Sequence, residues 1–127
     1  MNPYGDTIQE HYRHPRHYGS LEQADIRHED VNPFCGDRIR IELALSPDRI
    51  VSAARFQGDL CMIATAAASL LMERIHSISI DAVERVSEGE LLDALAANIQ
   101  PSRRQCALLP LGVLHQGVKA WREGRTG

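Results

Sequence analysis

The apolar residues of this chain change period once, and that change limits what it can fold into. From Arg38 to Leu45 (RIRIELAL) they alternate: Ile39, Ile41, Leu43 and Leu45 share one face, and Arg38, Arg40 and Glu42 the other. Period 2 is the mark of a strand buried on one side. Ser46-Pro47-Asp48 is a turn signal, and Arg49 to Phe56 can return, so an antiparallel hairpin is expected. Beyond Gly58 the alternation ends. Cys61 to His76 (CMIATAAASLLMERIH) is rich in alanine, leucine and methionine, which are strong helix formers. Its apolar residues cover most of the circumference, which predicts a buried helix.

The flanks are less patterned. Residues 4–13 predict a short helix that stops near His14, because Pro15 pushes the residue before it out of the helical region. Ser20 to Asp30 is polar and reads as an extended arm. Two short helices are expected over about 80–86 and 87–97, starting at Ser79 and Ser87; Ser87 and Glu90 fit a capping box. A last helix is expected from Ser102, with Ser102 and Gln105 as a second capping box. It should bend at Pro110, run to Trp121 and stop at Gly124.

A chain of 127 residues predicts a single domain, 1–127, large enough to bury a core without disulfides or a structural metal. A formal net charge of −3 gives no electrostatic case for nucleic acid or a membrane surface as the main partner. The locally basic C-terminal residues Arg103, Arg104, Lys119, Arg122 and Arg125 read as a solvated helix face rather than a docking patch. No apolar run is long enough to span a membrane, and Met1 to Glu10 does not resemble a signal or transit peptide. The expected location is a reducing cytoplasm. There the odd count of three cysteines favours thiols, metal ligands or sulfur carriers over disulfides.

Each cysteine falls at the edge of an expected element. Cys35 lies in Asn32-Pro33-Phe34-Cys35-Gly36-Asp37, an irregular loop before the alternating strand, where thiol and carboxylate two residues apart can face one ion. A surface cysteine and a turn aspartate explain that pair equally well. Cys61 starts the alanine-rich helix, where backbone N–H groups favour thiolate; a small core residue is the alternative. Cys106 is expected in the first turn of the last helix, beside Arg103 and Arg104, with the same two readings. Together, three thiolates and the Asp37 carboxylate form a four-ligand set suited to zinc or to an iron–sulfur cluster. The spacings of 26 and 45 residues mean that only the fold can assemble it. No CxxC pair indicates a zinc ribbon or a thioredoxin-type site. His11, His14, His17 and His28, mixed with Arg13, Arg16 and Pro15, read as a solvated or partner-facing segment, and His76 and His115 as helix-surface residues.

At these residues the chain resembles the scaffold family of iron–sulfur assembly, the U-type proteins of the Isc, Suf and Nif systems. The resemblance runs from about Tyr4 to Trp121. It is carried by His11-Tyr12-Arg13-His14-Pro15-Arg16-His17-Tyr18-Gly19, by Asn32 to Asp37, by Phe56-x-Gly58-x-x-Cys61 with the alanine helix after it, and by Arg103-x-x-Cys106-Ala107-x-Leu109. It implies an α+β fold: a small antiparallel sheet of about three strands, with helices mainly on one face. It implies sulfur accepted as persulfide from a cysteine desulfurase, with Cys35 and Cys106 the candidate acceptors. It further implies iron, a transient [2Fe–2S] cluster on Cys35, Asp37, Cys61 and Cys106, and transfer to apo acceptor proteins, with Asp37 the exchangeable ligand. The Suf branch implies an alternative: zinc on the same four residues and a sulfurtransferase role. Gln105 stands where the Isc branch has histidine, and Ile99-Gln100-Pro101-Ser102-Arg103 replaces that branch's chaperone-recognition stretch, so docking to a dedicated Hsp70 is not expected. Leu60 replaces the glycine that usually precedes the second cysteine. The stretch between the second and third cysteines leaves little room for the usual Suf insertion.

Overall fold

A computed structural model describes residues 5–33 and 36–124. The elements are α1 (Gly5–Arg13), β1 (Ile26–Val31), β2 (Arg38–Leu45), β3 (Val51–Asp59), α2 (Met62–Ile75), α3 (Ile80–Arg85), α4 (Glu88–Ala94) and α5 (Pro101–Arg122). The strands form one antiparallel sheet in the order β1-β2-β3. Helices α2 and α5 pack against the sheet and against each other, and α1 lies on α2. This is the α+β architecture that the resemblance implies.

The alternating strand is where expected, and Ile39, Ile41 and Leu43 are buried with Val51, Ala54 and Phe56 of β3. Against them lie Ile63, Ala66, Ala67 and Leu71 of α2 and Leu111, Leu114 and Val118 of α5. The alanines of α2 let helix and sheet approach closely, and ten of its fourteen residues are buried, which explains why its sequence shows no polar stripe. Full burial of one such side chain as Phe56 or Leu71 contributes about 1.5–3 kcal/mol.

Several expectations shift. The polar arm holds a third strand, β1, which pairs with β2 from Ile26↔Leu43 to Val31↔Arg38. Strand β3 runs past Phe56 to Asp59. Glu42, expected on the solvent face, is 2% exposed. Arg27 Nε donates to it at 2.6 Å and the Leu21 N–H at 3.3 Å, because the chain crosses that face on its way from β3's edge to β1. Ser79 and Ser87 cap α3 and α4 as expected, accepting from the N–H of Ala82 and Glu90. The capping box at Ser102 does not form. Pro101 takes the first helical position, where its fixed φ and missing N–H cost nothing, and Gln100 becomes an N-cap with no side-chain bond. Helix α5 continues through buried Pro110 and ends where Gly124 adopts φ +77° and its N–H bonds to Trp121. Arg122 is tied to Asp81 and Glu84 of α3 at 2.6–2.9 Å, so that part of the basic face is an ion-pair cluster; Arg125 lies outside the described residues.

His11 overturns its solvated reading. It is 8% exposed, with Nδ1 at 2.7 Å from Ser69 Oγ on α2, and Ser69 also accepts the Arg16 N–H at 2.8 Å. Burial first, then Arg16, lower its pKa from the usual 6.5, while Glu73 and Glu10 oppose the shift. His14 is exposed, His17 and His28 are half-buried, His76 is exposed, and His115 is half-buried with Nε2 at 3.2 Å from the Val83 carbonyl.

Candidate metal centre

Three chain segments meet at one end of the sheet. The first is the turn into β2. Gly36, at φ +75°, donates to the Asn32 carbonyl, and Asn32 donates to the Asp37 carbonyl, both at 2.8 Å. These bonds fix Asp37 immediately before β2. Its side chain is 7% exposed. Cys35, in the same loop, lies outside the described residues.

The second segment is the exit of β3. Gly58 pairs with Ile39 and Asp59 with Arg38, so β3 leaves the sheet beside Asp37. The strands approach so closely here that a Cβ on Gly58 would lie 1.9 Å from the Arg38 carbonyl oxygen. Only glycine fits. A glycine inside a strand pattern signals such an approach; in the sequence Gly58 marks the end of the alternation and belongs to the motif Phe56-x-Gly58-x-x-Cys61, and neither shows this contact. The chain then passes Leu60, which packs half-buried against the core, to Cys61.

Cys61 is the N-cap of α2, with Sγ accepting the Ala64 N–H at 3.4 Å, and its own N–H donates to Asp37 Oδ1 at 3.3 Å. Burial pushes the Cys61 thiol up. The Ala64 N–H favours thiolate, as expected of a helix start, but Asp37 adds to the upward shift and burial wins. Cys61 without a cation is therefore a thiol, not the thiolate expected from its helix position.

The third segment is α5. Because the helix starts at Pro101, Cys106 falls in its second turn rather than its first, where the helix terminus has little effect. Cys106 is 4% exposed.

The donor atoms of Asp37, Cys61 and Cys106 lie within 4.8 Å of one another, and among the described residues they are the only such group of three. In a tetrahedral zinc site with Zn–S near 2.3 Å, donors lie about 3.8 Å apart. Closing on an ion thus needs only side-chain adjustment. The chemistry fits as well. Asp37 Oδ2 is buried without a hydrogen-bond partner, a state that costs about 1–3 kcal/mol. A cation beside it would satisfy that oxygen and reverse the pressure that keeps Cys61 protonated. The described residues thus provide a carboxylate and two thiols that can hold a metal ion. No histidine joins them.

No helix is long and apolar enough to cross a membrane among the described residues. The sequence model of the NifU-like N-terminal domain matches residues 3–126. The zinc-dependent sulfurtransferase SufU of Bacillus subtilis is 30% identical over 132 residues, covering 91% of this chain and 88% of the relative. The iron–sulfur cluster assembly scaffold protein IscU of Thermotoga maritima is also 30% identical, covering 91% and 92%. In fold, the N-terminal part of a nitrogen-fixing NifU-like protein from Brucella abortus superposes with a TM-score of 0.79 over 95% of both chains, at 14% identity. The chain belongs to the family of NifU-like N-terminal domains.

Proposed function

We propose that the chain is a scaffold for iron–sulfur cluster assembly, acting as one domain. Cys35, Asp37, Cys61 and Cys106 hold a transient [2Fe–2S] cluster as cargo. Sulfur arrives as the persulfide of a cysteine desulfurase and passes to Cys35 or Cys106 by thiol attack on the sulfane sulfur, which leaves the desulfurase cysteine as thiolate. An external electron donor reduces that sulfur to sulfide before it joins iron, and the finished cluster passes to apo acceptor proteins. The observation that carries this reading is the convergence of Asp37, Cys61 and Cys106, with Asp37 Oδ2 buried and unpartnered. A carboxylate oxygen is a harder and weaker partner for a cluster than thiolate, which suits a ligand that must let go. An odd count of three cysteines fits a reducing cytoplasm.

A second reading has its own support. The Bacillus subtilis relative is named a zinc-dependent sulfurtransferase, and Gln105 here matches the branch that lacks histidine before its third cysteine. In this reading zinc sits on the same four residues, and Cys35 leaves it to accept sulfur, stimulating the desulfurase.

Anaerobic reconstitution with iron, cysteine, dithiothreitol and a cysteine desulfurase, read by visible absorption and metal analysis beside a zinc-loaded sample, separates the two. The scaffold reading expects a cluster spectrum that disappears on transfer to an apo-ferredoxin. Zinc binding with faster desulfurase turnover and no cluster supports the second reading and overturns the first.

A further inference from the structure

Helix α5 packs on β1. The two touch at Gly117, where a Cβ would come within 3.0 Å of His28 Cβ and 3.3 Å of Ile26 Cγ2, and His28 Nε2 meets Gln116 Oε1 at 3.2 Å. At Gly112, earlier in the helix, a Cβ would meet nothing within 4 Å. Gly112 is exposed, and a wedge of about 480 Å³ lies between this part of the helix and the end of β1. The end of β1 lines it on one side and Leu108, Leu109 and Val113 of α5 on the other, and Glu88 and Arg104 also line it.

The strand wall is open. The Asn32 N–H donates to the Asp37 carbonyl, continuing the register of Val31↔Arg38. Backbone groups alternate along an antiparallel ladder, so His28 and Asp30 turn theirs toward β2, and Arg27, Glu29 and Val31 turn theirs outward. The Val31 N–H donates to the Asp30 carboxylate at 2.8 Å. Among the described residues, no backbone group pairs with the outward groups of Arg27 and Glu29. The opposite edge is different. Phe56 of β3 bonds to His17 and Gly19, and Val51 to Ser77 and Ile78, so the chain closes that edge itself. Among the described residues one edge is closed and the other is open at Arg27 and Glu29, next to the groove, whose lining begins at Asp30. An edge strand next to a helix is the geometry in which an extended peptide adds to a sheet. The carboxylates of Asp30 and Glu88 have no ion-pair partner among the described residues, and Arg104 alone opposes them in the lining.

We propose that this groove docks an extended segment of a partner protein, with basic and apolar residues alternating, which adds to β1 as a fourth strand. Its backbone pairs with the outward N–H and C=O groups of Arg27 and Glu29. Its apolar side chains lie on Leu108, Leu109 and Val113 in the space Gly112 leaves, and its basic ones meet Asp30 and Glu88. A net charge of −3 on the chain favours the same sign of partner. Arg104 and Gln105, which line the groove, immediately precede Cys106 in α5. The proposal stands independently of which metal that centre holds.

The test uses the full chain and three fluorescein-labelled nonapeptides. One alternates Lys and Val, one Glu and Val, and one is the Lys–Val peptide with alternate backbone amides N-methylated. Anisotropy is expected to give the Lys–Val peptide at least about tenfold tighter binding than the other two. Hydrogen exchange is expected to slow at the Arg27 and Glu29 amides on binding. Gly112→Leu fills the wedge and should weaken binding by about tenfold, with zinc binding unchanged. The pair Asp30→Lys and Glu88→Lys should transfer the preference to the Glu–Val peptide. Equal binding of the N-methylated peptide, or of the Gly112→Leu variant, overturns the proposal. So does protection of Arg27 and Glu29 that rises with protein concentration without peptide, which would make the occupant a second copy of this chain.

Discussion

Gly58→Ala tests whether the approach of β2 and β3 sets the metal centre. The new Cβ starts 1.9 Å from the Arg38 carbonyl oxygen and 2.9 Å from two further backbone atoms, and ordinary contact begins at 3.4 Å. Backbone is on both sides, so no side chain can yield. The strands must part by more than an ångström at the Ile39↔Gly58 pair, directly beside the bond from the Cys61 N–H to Asp37 Oδ1. Overpacking of this kind costs about 1–3 kcal/mol, and each kcal/mol lowers Tm by about 3–6 °C in a domain of this size. The displacement also separates Asp37 from Cys61, and loss of ligand positioning typically weakens metal binding by about 10–100-fold. Zinc affinity measured by competition with a chromophoric chelator at constant pH, alongside calorimetric Tm, reads both effects. Gly112→Ala is the control, because its Cβ meets nothing within 4 Å. It should raise helix stability by about 0.5–1 kcal/mol and leave zinc affinity unchanged. A Gly58→Ala protein with wild-type Tm and zinc affinity would refute the claim that this contact aligns the donors.

Asp37→Ala should slow release of a bound cluster or zinc to an acceptor, and should lower the Cys61 pKa by removing the carboxylate that raises it; transfer at the wild-type rate removes Asp37 as the exchangeable ligand. Cys35→Ser should abolish persulfide labelling by a desulfurase in the zinc reading, and undiminished labelling excludes Cys35 as acceptor. His11 binds its proton less readily in the folded chain than in the unfolded one, so its contribution to stability is complete above about pH 6.5 and is lost as pH falls toward its depressed folded value. Urea midpoints from pH 8 to pH 5 should show that loss, and His11→Gln should make the slope shallower; an unchanged slope would place the titration elsewhere.

The hairpin and the central helix were legible because burial and period agree there: β2 is buried on one face and α2 on nearly all faces. What was not legible depends on partners distant in sequence. Glu42 fits the polar face of its strand, and only the crossing chain around Leu21 and Arg27 makes it a buried residue. Serine at Ser102 with Gln105 three residues on satisfies a capping pattern, but Pro101 claims the helix start one residue earlier. His11 looks like part of a basic, polar tract until Ser69, 58 residues away, meets it across α1 and α2. At the candidate site the residue types were visible, and the family resemblance implied that they converge; the geometry that brings Asp37, Cys61 and Cys106 together was not. Asp37, Cys61 and Cys106 come from a turn, a helix cap and a helix interior, and the close fit at Gly58 that aligns the first two has no period to reveal it.

The protonation of Cys61 bears on how a labile site can be safe when empty. A helix start and a nearby arginine pair would have made its cysteines reactive thiolates, exposed to oxidation at every stage of a cycle. Burial reverses that for Cys61, and Asp37 strengthens the reversal, because two negative charges cannot share the pocket without a cation. On the proposed function, the same carboxylate then has two effects of opposite sign. Without metal it keeps the neighbouring thiol protonated and inert; with metal it neutralises the ion and accepts the coordination its Oδ2 lacks. Loading must therefore release the Cys61 proton, and metal affinity should rise with pH until it passes the raised Cys61 value. Asp37→Asn separates the two effects: it removes the charge that holds the proton while keeping the shape of the side chain. If its metal affinity depends on pH as steeply as the wild type's, the coupling between Asp37 and Cys61 is not what governs loading.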